Sequence, residues 1–136
     1  MYMTRHELRY KAMTILYQAF LYDSNNISYD INDIILEQLE DKNKFVNNLV
    51  NGVMEHRIEI DELANKYLED WDLSRLGFTD QAIIRMGIYE ILWTDTPSVT
   101  CIDEAVELAK EYSDEKVFRM INGVLDKVYR SKESNE

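Results

Sequence analysis

Residues that break helices are scarce in this chain. Its 136 residues include one proline and four glycines, and 46% of them are hydrophobic. An all-β fold needs turn-forming residues between its short strands, whereas the abundant leucine, isoleucine, alanine, glutamate and lysine favour helices. We therefore predict an all-α, compact single-domain helical bundle over residues 1–130, which is long enough to bury one continuous core.

The first helix has a clear start signal. Thr4 is followed three residues later by Glu7, which is a capping-box pattern. From there apolar residues recur at three- and four-residue steps to about residue 22, so they form one buried stripe. Arg5 and Arg9 fall outside this stripe, and both are expected to be exposed.

Apolar spacing predicts a bundle of about seven helices in all. Thr79 and Asp80 are expected to cap the most apolar helix, which is the best candidate for the centre of the core, with Gly87 allowing close packing. One long helix is expected over residues 43–68, although a break near His56 is compatible with its pattern. The other helices are expected at about 31–39, 71–77, 99–112 and from about 114 to 130, followed by a disordered tail at 131–136.

The charge of the chain is unevenly distributed. The formal net charge is −11, and on average such an acidic chain repels phosphate. The first 22 residues nevertheless carry three basic residues against one acid, and residues 116–132 carry five against one. If the first and last helices lie side by side, one face could approach phosphate while the acidic remainder meets a basic protein. The alternative is that these charge runs are only solvated helix faces.

No catalytic, cofactor or metal site is indicated. The four glycines lie far apart and form no phosphate-binding or dinucleotide-binding loop. His6 and His56 have no neighbouring motif that suggests a catalytic triad or a convincing metal site, and the single Cys101 is expected to be a small buried residue. No membrane span or signal peptide is recognisable, so we expect a cytoplasmic, non-enzymatic protein.

Five motifs span nearly the whole chain. The most specific feature is that the motif over residues 102–110 occurs together with the motif over residues 122–126. They are Arg5-x-x-x-Arg9-x-x-Ala12-x-x-x-Leu16-Tyr17-Gln18, Ile84-Arg85-Met86-Gly87-Ile88-Tyr89-Glu90-Ile91-Leu92, Pro97, Ile102-Asp103-Glu104-Ala105-Val106-Glu107-Leu108-Ala109-Lys110 and Asn122-Gly123-Val124-Leu125-Asp126. In this order they resemble the NusB family.

The resemblance implies an all-α protein that binds the boxA element of single-stranded RNA together with NusE, a ribosomal protein of the small subunit. It also implies indirect association with other Nus factors and RNA polymerase, in antitermination and ribosomal RNA transcription. Two alternatives stay open: a protein-binding helical adaptor without direct RNA contact, and the RNA-binding fragment of an RNA methyltransferase. The missing cofactor-binding glycine loop counts against the second. The sequence leaves a homodimer open, because no heptad seam decides it.

The resemblance assigns RNA contact to the exposed side of the first helix and to the start of the last one. Basic residues there would bind phosphates or base edges, while Tyr17 would either stack on an unpaired base or pack against a neighbouring helix. Met120 stands where relatives often have phenylalanine, and relatives often carry more arginines near the start, so a lower RNA affinity is expected. The predicted RNA-binding residues are Arg5, Arg9, Tyr17, Lys116, Arg119 and Met120.

Asp80 matches an acidic position on the surface that the family turns toward NusE. Its carboxylate would meet an arginine of the basic partner, although an acid in the first turn of a helix is also favoured by the helix dipole. Asn122 and Asp126 belong to the family motif, and we expect them to fix the fold through hydrogen bonds rather than to bind RNA.

Overall fold

A capping box starts the first helix, as the sequence predicts. In α1 (Arg5–Ser24) the Thr4 Oγ1 accepts a hydrogen bond from the Glu7 amide at 3.1 Å, and the Glu7 carboxylate accepts one from the Thr4 amide at 3.1 Å. Both amides would otherwise have no partner at the helix start. The predicted apolar stripe is buried, including Leu8, Leu16 and Phe20.

The computed structural model describes residues 2–134, and this part of the chain forms seven α-helices and no strand. The predicted all-α bundle is therefore confirmed over that range. After α1 come α2 (Ile31–Gln38), α3 (Lys44–Glu55), α4 (Arg57–Tyr67), a 3-10 turn (Leu73–Arg75), α5 (Phe78–Trp93), α6 (Ser98–Tyr112) and α7 (Glu115–Ser134). Between residues 2 and 134, no helix is both long enough and apolar enough to cross a membrane.

The most apolar helix, α5, lies at the centre of the bundle, as predicted. It packs against α1, α3, α4, α6 and α7, and its Ile84 and Ile88 are fully buried. Gly87 faces α7 so closely that a β-carbon there would lie 2.8 Å from Leu125 Cδ1. Because a side chain at this position would push the helices apart, the glycine sets the distance between α5 and α7.

The predicted long helix over residues 43–68 is divided at His56, so the prediction of one helix is wrong. His56 ends α3 with its amide donating to the Gly52 carbonyl at 3.0 Å, and α4 begins at the next residue. The His56 ring stacks on Trp93 of α5, with 4.2 Å between ring centroids and 15° between planes. On either side of the break, α3 and α4 each pack on α5 as separate helices.

Thr79 and Asp80 do not cap α5, contrary to prediction. The helix begins one residue earlier, at Phe78, and Gly77 is the capping residue without a side-chain hydrogen bond. Asp80 therefore lies inside the first turn, where its carboxylate accepts a hydrogen bond from Ser113 instead.

The last helix is longer than predicted. We expected disorder from residue 131, but α7 continues to Ser134. Lys132 Nζ donates to the Ile91 carbonyl at 2.9 Å, which ties this end of α7 to α5. The prediction of disorder is thus wrong for residues 131–134, and residues 135–136 lie outside the described part of the chain.

Candidate nucleic-acid interface

Arg9 is buried, so the prediction that it is exposed is wrong. Only 4% of its surface is accessible. Its Nε donates to Glu90 Oε1 at 2.9 Å and its Nη2 donates to Glu90 Oε2 at 2.8 Å. Glu90 lies on the central helix α5 and is itself buried, and a carboxylate in such a place needs a cationic partner. Burial would lower the pKa of Arg9, but the hydrogen bonds and charge of Glu90 outweigh it and raise that pKa.

Arg5 is exposed, as predicted, and it is held by an aromatic ring. Its guanidinium lies 4.2 Å from the ring centroid of Phe45, the second residue of α3. This cation–π contact orients the side chain while leaving its charge accessible. Arg5 and Arg9 are four residues apart, yet one meets solvent and the other the core.

His6 joins α1 to α6, a role that the sequence did not suggest. Its Nδ1 lies 2.9 Å from Glu104 Oε2, and its Nε2 lies 2.7 Å from Glu111 Oε1. Both contacts are hydrogen bonds only when both ring nitrogens carry protons. The hydrogen bond to Glu104 raises the pKa of His6 above its ordinary 6.5, against the opposing effect of burial, and Glu111 adds to the rise.

Tyr17 packs against a neighbouring helix, which is one of the two roles considered for it. Its ring packs edge-on against Phe78 of α5, with 5.9 Å between centroids and 84° between planes. The side chain nevertheless remains 42% exposed. One edge of the ring is thus fixed by the bundle, while the rest stays available for stacking on a base.

The same end of the bundle contains a second aromatic pair. Tyr10 of α1 stacks on Tyr112, the last residue of α6, with 5.0 Å between ring centroids. We call Tyr10, Tyr17, Phe78 and Tyr112 the aromatic junction. Sequence reasoning missed Tyr10, although its spacing of seven residues from Tyr17 places both on one side of α1.

Asp80 is half-buried beside this junction. Its Oδ1 accepts a hydrogen bond from the Ser113 hydroxyl, in the link between α6 and α7. Burial raises the pKa of Asp80, the Ser113 hydrogen bond opposes that rise, and the nearby charge of Asp114 adds to it. Asp80 and Tyr17 are thus brought to one end of the bundle, because Asp80 lies two residues after Phe78.

The start of α7 presents the other predicted RNA-binding residues. The Asp114 carboxylate caps the helix by accepting from the Val117 amide at 2.9 Å. Lys116 Nζ lies 5.5 Å from the Trp71 ring centroid, and Met120 is partly buried one turn further on. The Arg119 side chain is 72% exposed and forms a 2.7 Å ion pair with Glu115. Such an exposed ion pair contributes less than about 1 kcal/mol to the free energy of unfolding, so Arg119 can exchange Glu115 for another partner.

The structure does not gather the predicted cations into one cluster. Arg5 rests on α3, Arg9 is buried against α5, and Lys116 rests on Trp71 after α4. The aromatic junction connects α1 to the end of α6, just before α7 begins with the exposed Lys116 and Arg119. The exposed Arg5 lies apart from them, against α3. A single strand could stack a base on the exposed ring of the junction and pair its phosphates with the cations at the start of α7.

Cys101 is buried, as predicted, and burial raises the pKa of its thiol to about 12. A thiol with that pKa is a poor nucleophile at neutral pH. In the described residues, His, Cys, Asp and Glu side chains form no group of three or more that could hold a metal ion.

Similar proteins have the same sequence pattern over almost their entire length. A family model described as the NusB family matches residues 6–130. The transcription antitermination protein NusB of Campylobacter jejuni is 42% identical over 132 residues, which cover 95% of this chain and 98% of that protein.

Solved structures agree with this match. T. maritima NusB has a TM-score of 0.83 and 32% identity, with 96% of this chain and 93% of that chain covered. A chain from the crystal structure of antitermination factors NusB and NusE in complex with double-stranded RNA has a TM-score of 0.77 and 27% identity, with 95% and 99% covered. Motifs, family match and fold agree, and this chain therefore belongs to the NusB family.

Proposed function

We propose that the chain is a non-enzymatic transcription antitermination factor that binds boxA RNA together with NusE and supports ribosomal RNA transcription in the cytoplasm. The observation that carries the proposal is its match, over 95% of its length, to a protein named for transcription antitermination. Similarity to a chain from a complex of NusB, NusE and RNA supports both partners. Other Nus factors and RNA polymerase would be reached through that complex.

The RNA would lie across the aromatic junction and the start of α7. Arg5, Lys116 and Arg119 are accessible cations that can bind phosphates or base edges, and Tyr17 exposes a ring for an unpaired base. Met120 would add an apolar contact beside Lys116. Arg9 is not a direct contact in this proposal, because its guanidinium is used by Glu90; it positions α1 on α5.

NusE would bind near the start of α5. Asp80 Oδ1 is occupied by Ser113, which leaves Oδ2 for an arginine or lysine of this basic protein. The acidic middle of the chain supports such a partner, since it would speed the encounter of the two proteins.

A band-shift titration with and without NusE tests the proposal. The protein is expected to bind boxA RNA more tightly than a scrambled RNA of equal length and composition, and NusE should strengthen binding to boxA. Equal binding of the two RNAs in the presence of NusE would contradict the proposal.

The second candidate is a protein-binding adaptor without RNA contact, which the half-buried Asp80 with Asp114 nearby would also suit. Alanine at Arg5, Lys116 and Arg119 together separates the two functions. Loss of RNA from the complex, with NusE binding retained, supports the RNA-binding factor. Unchanged assembly on RNA supports the adaptor.

A further inference from the structure

A groove of about 310 Å³ lies between α7 and the segment that follows α4. Tyr67 and Trp71 contribute aromatic walls, Lys116 and Met120 form one end, and Gly123 is on the α7 side. The groove therefore begins at two residues of the proposed RNA face and extends away from the aromatic junction. The resemblance assigns RNA contact to Lys116 and Met120, but it gives no such role to Tyr67, Trp71 or Gly123.

Gly123 has no packing reason to be glycine. A β-carbon at Gly123 would meet nothing within 4 Å, whereas one at Gly87 would collide with Leu125. Glycine lowers helix stability relative to alanine, yet Gly123 lies in the interior of α7. Gly123 leaves the backbone of α7 uncovered at the side of the groove. A flat ring can therefore approach this backbone more closely than it could if a side chain were present.

Trp71 supplies the matching surface. It is 42% exposed, which is unusual for the largest apolar side chain, and Lys116 Nζ lies over its ring. A nucleotide that placed its phosphate at Lys116 would have its base beside this ring. Base stacking on an exposed aromatic is a common way to hold single-stranded RNA.

The charges of the groove favour a base over a second phosphate. Two carboxylates, Glu69 and Asp70, also line the groove, and Glu69 is paired at 2.9 Å with Lys127, another lining residue. Carboxylates repel phosphate, but they accept hydrogen bonds from the amino groups of bases. Because Lys127 is neutralised by Glu69, Lys116 is, among the described residues, the cation of the groove left without a carboxylate partner, and the remainder of the groove suits a neutral ring with N–H donors.

We propose that this groove is a nucleobase subsite, in which one unpaired base stacks on Trp71 against the backbone at Gly123 while Lys116 holds the adjoining phosphate. The inference rests on the proposed function and adds a binding position to it. The occupant is a base of single-stranded RNA and not a peptide.

Filling the groove tests the subsite. Gly123→Leu places a side chain in it and favours helix, and Asn122→Leu places the same side chain on the neighbouring exposed position outside it. With NusE present, Gly123→Leu should weaken boxA binding about tenfold, as should Trp71→Ala, while Asn122→Leu binds like the wild type. A thermal melt of each variant establishes that the fold is retained.

A scan of boxA RNA with one base removed at a time identifies the occupant. Removing the base at one position should lower the affinity of the wild type about tenfold. The same removal should lower the affinity of Trp71→Ala almost no further, because the ring that stacks on this base is already absent. Equal affinities of Gly123→Leu and Asn122→Leu would overturn the subsite, as would loss of NusE binding by Gly123→Leu in the absence of RNA. If the wild type itself fails to prefer boxA, the proposed function is what fails.

Discussion

Arg9 and Glu90 form a bidentate ion pair inside the bundle, at 2.9 and 2.8 Å, although they are 81 residues apart in the chain. The pair fixes α1 on the central helix, so it determines how the exposed face of α1 is presented. Arg9 Nη1 also lies 3.9 Å from Glu104 of α6, which in turn contacts His6. The first helix is thus attached to α5 and α6 by charged groups as well as by its apolar stripe.

Removing only one partner of this pair should destabilise the fold strongly. Arg9→Met leaves Glu90 buried and unpaired, and we expect a loss of about 3–5 kcal/mol in the free energy of unfolding. Arg9→Met combined with Glu90→Leu should recover most of that loss. The measurement is urea denaturation, with Arg5→Met as the exposed control, expected within about 1 kcal/mol of the wild type. A single Arg9→Met variant as stable as the control would refute the structural role.

Stability should depend on the protonation of His6. Its folded-state pKa is raised above 6.5, chiefly by the hydrogen bond to Glu104, so the protonated ring stabilises the fold. This contribution is complete below the unfolded-state pKa of about 6.5 and is lost as the pH rises through the raised pKa.

Replacing His6 with glutamine checks this dependence. The free energy of unfolding of the wild type should exceed that of His6→Gln at about pH 5.5, and the difference should shrink by about pH 8.5. Urea denaturation at several pH values gives both curves. A difference that stays constant across this range would show that the contacts of His6 do not depend on its charge.

Replacement of Gly87 and of Gly123 with alanine should change the free energy of unfolding in opposite directions. Gly87→Ala forces a β-carbon against Leu125, and we expect a loss of about 1–3 kcal/mol. Gly123→Ala meets open space in the interior of α7, and we expect a gain of about 0.5–1 kcal/mol. Thermal and urea denaturation of the two variants provide the comparison. Changes of the same sign would mean that the α5–α7 contact is looser than described.

Asp80 should matter for NusE more than for the fold. Burial raises the pKa of its carboxyl, so the charged form costs stability, and Asp80→Asn should not lower the free energy of unfolding. The same change should weaken NusE binding about tenfold if the carboxylate meets a cation there. Calorimetric titration with NusE measures the affinity, and Asp95→Asn, at an exposed acid just beyond α5, is the control. Equal affinity of the two variants would place the NusE contact elsewhere.

The helical fold follows from the sequence because the apolar period and the Thr4–Glu7 capping box are local signals. The exposure of Arg9 could not be judged in the same way. Its position outside the apolar stripe predicts solvent, and only the distant Glu90 makes burial favourable. The break at His56 likewise depends on Trp93, which stacks on its ring from another helix. Local sequence patterns do not reveal contacts with residues on other helices.

The candidate site was predictable only in part. Tyr17 and the basic residues of α7 came from the family resemblance, and the structure leaves Tyr17, Lys116 and Arg119 exposed. The aromatic junction and the groove at Trp71 join residues far apart in sequence, so no motif could indicate them. Asn122, which we expected to fix the fold, is exposed on α7, and this places it on the surface rather than in the helix packing.

The salt dependence of boxA binding tests the central claim most directly. Arg119 and Arg130 are both exposed on α7, and each pairs with an acid four residues earlier, but only Arg119 lies on the proposed RNA face. With NusE present, Arg119→Ala should lower the affinity and reduce the slope of log affinity against log salt by about 0.7, whereas Arg130→Ala should change neither. Equal slopes for the two variants, or a scrambled RNA bound as tightly as boxA, would contradict the account.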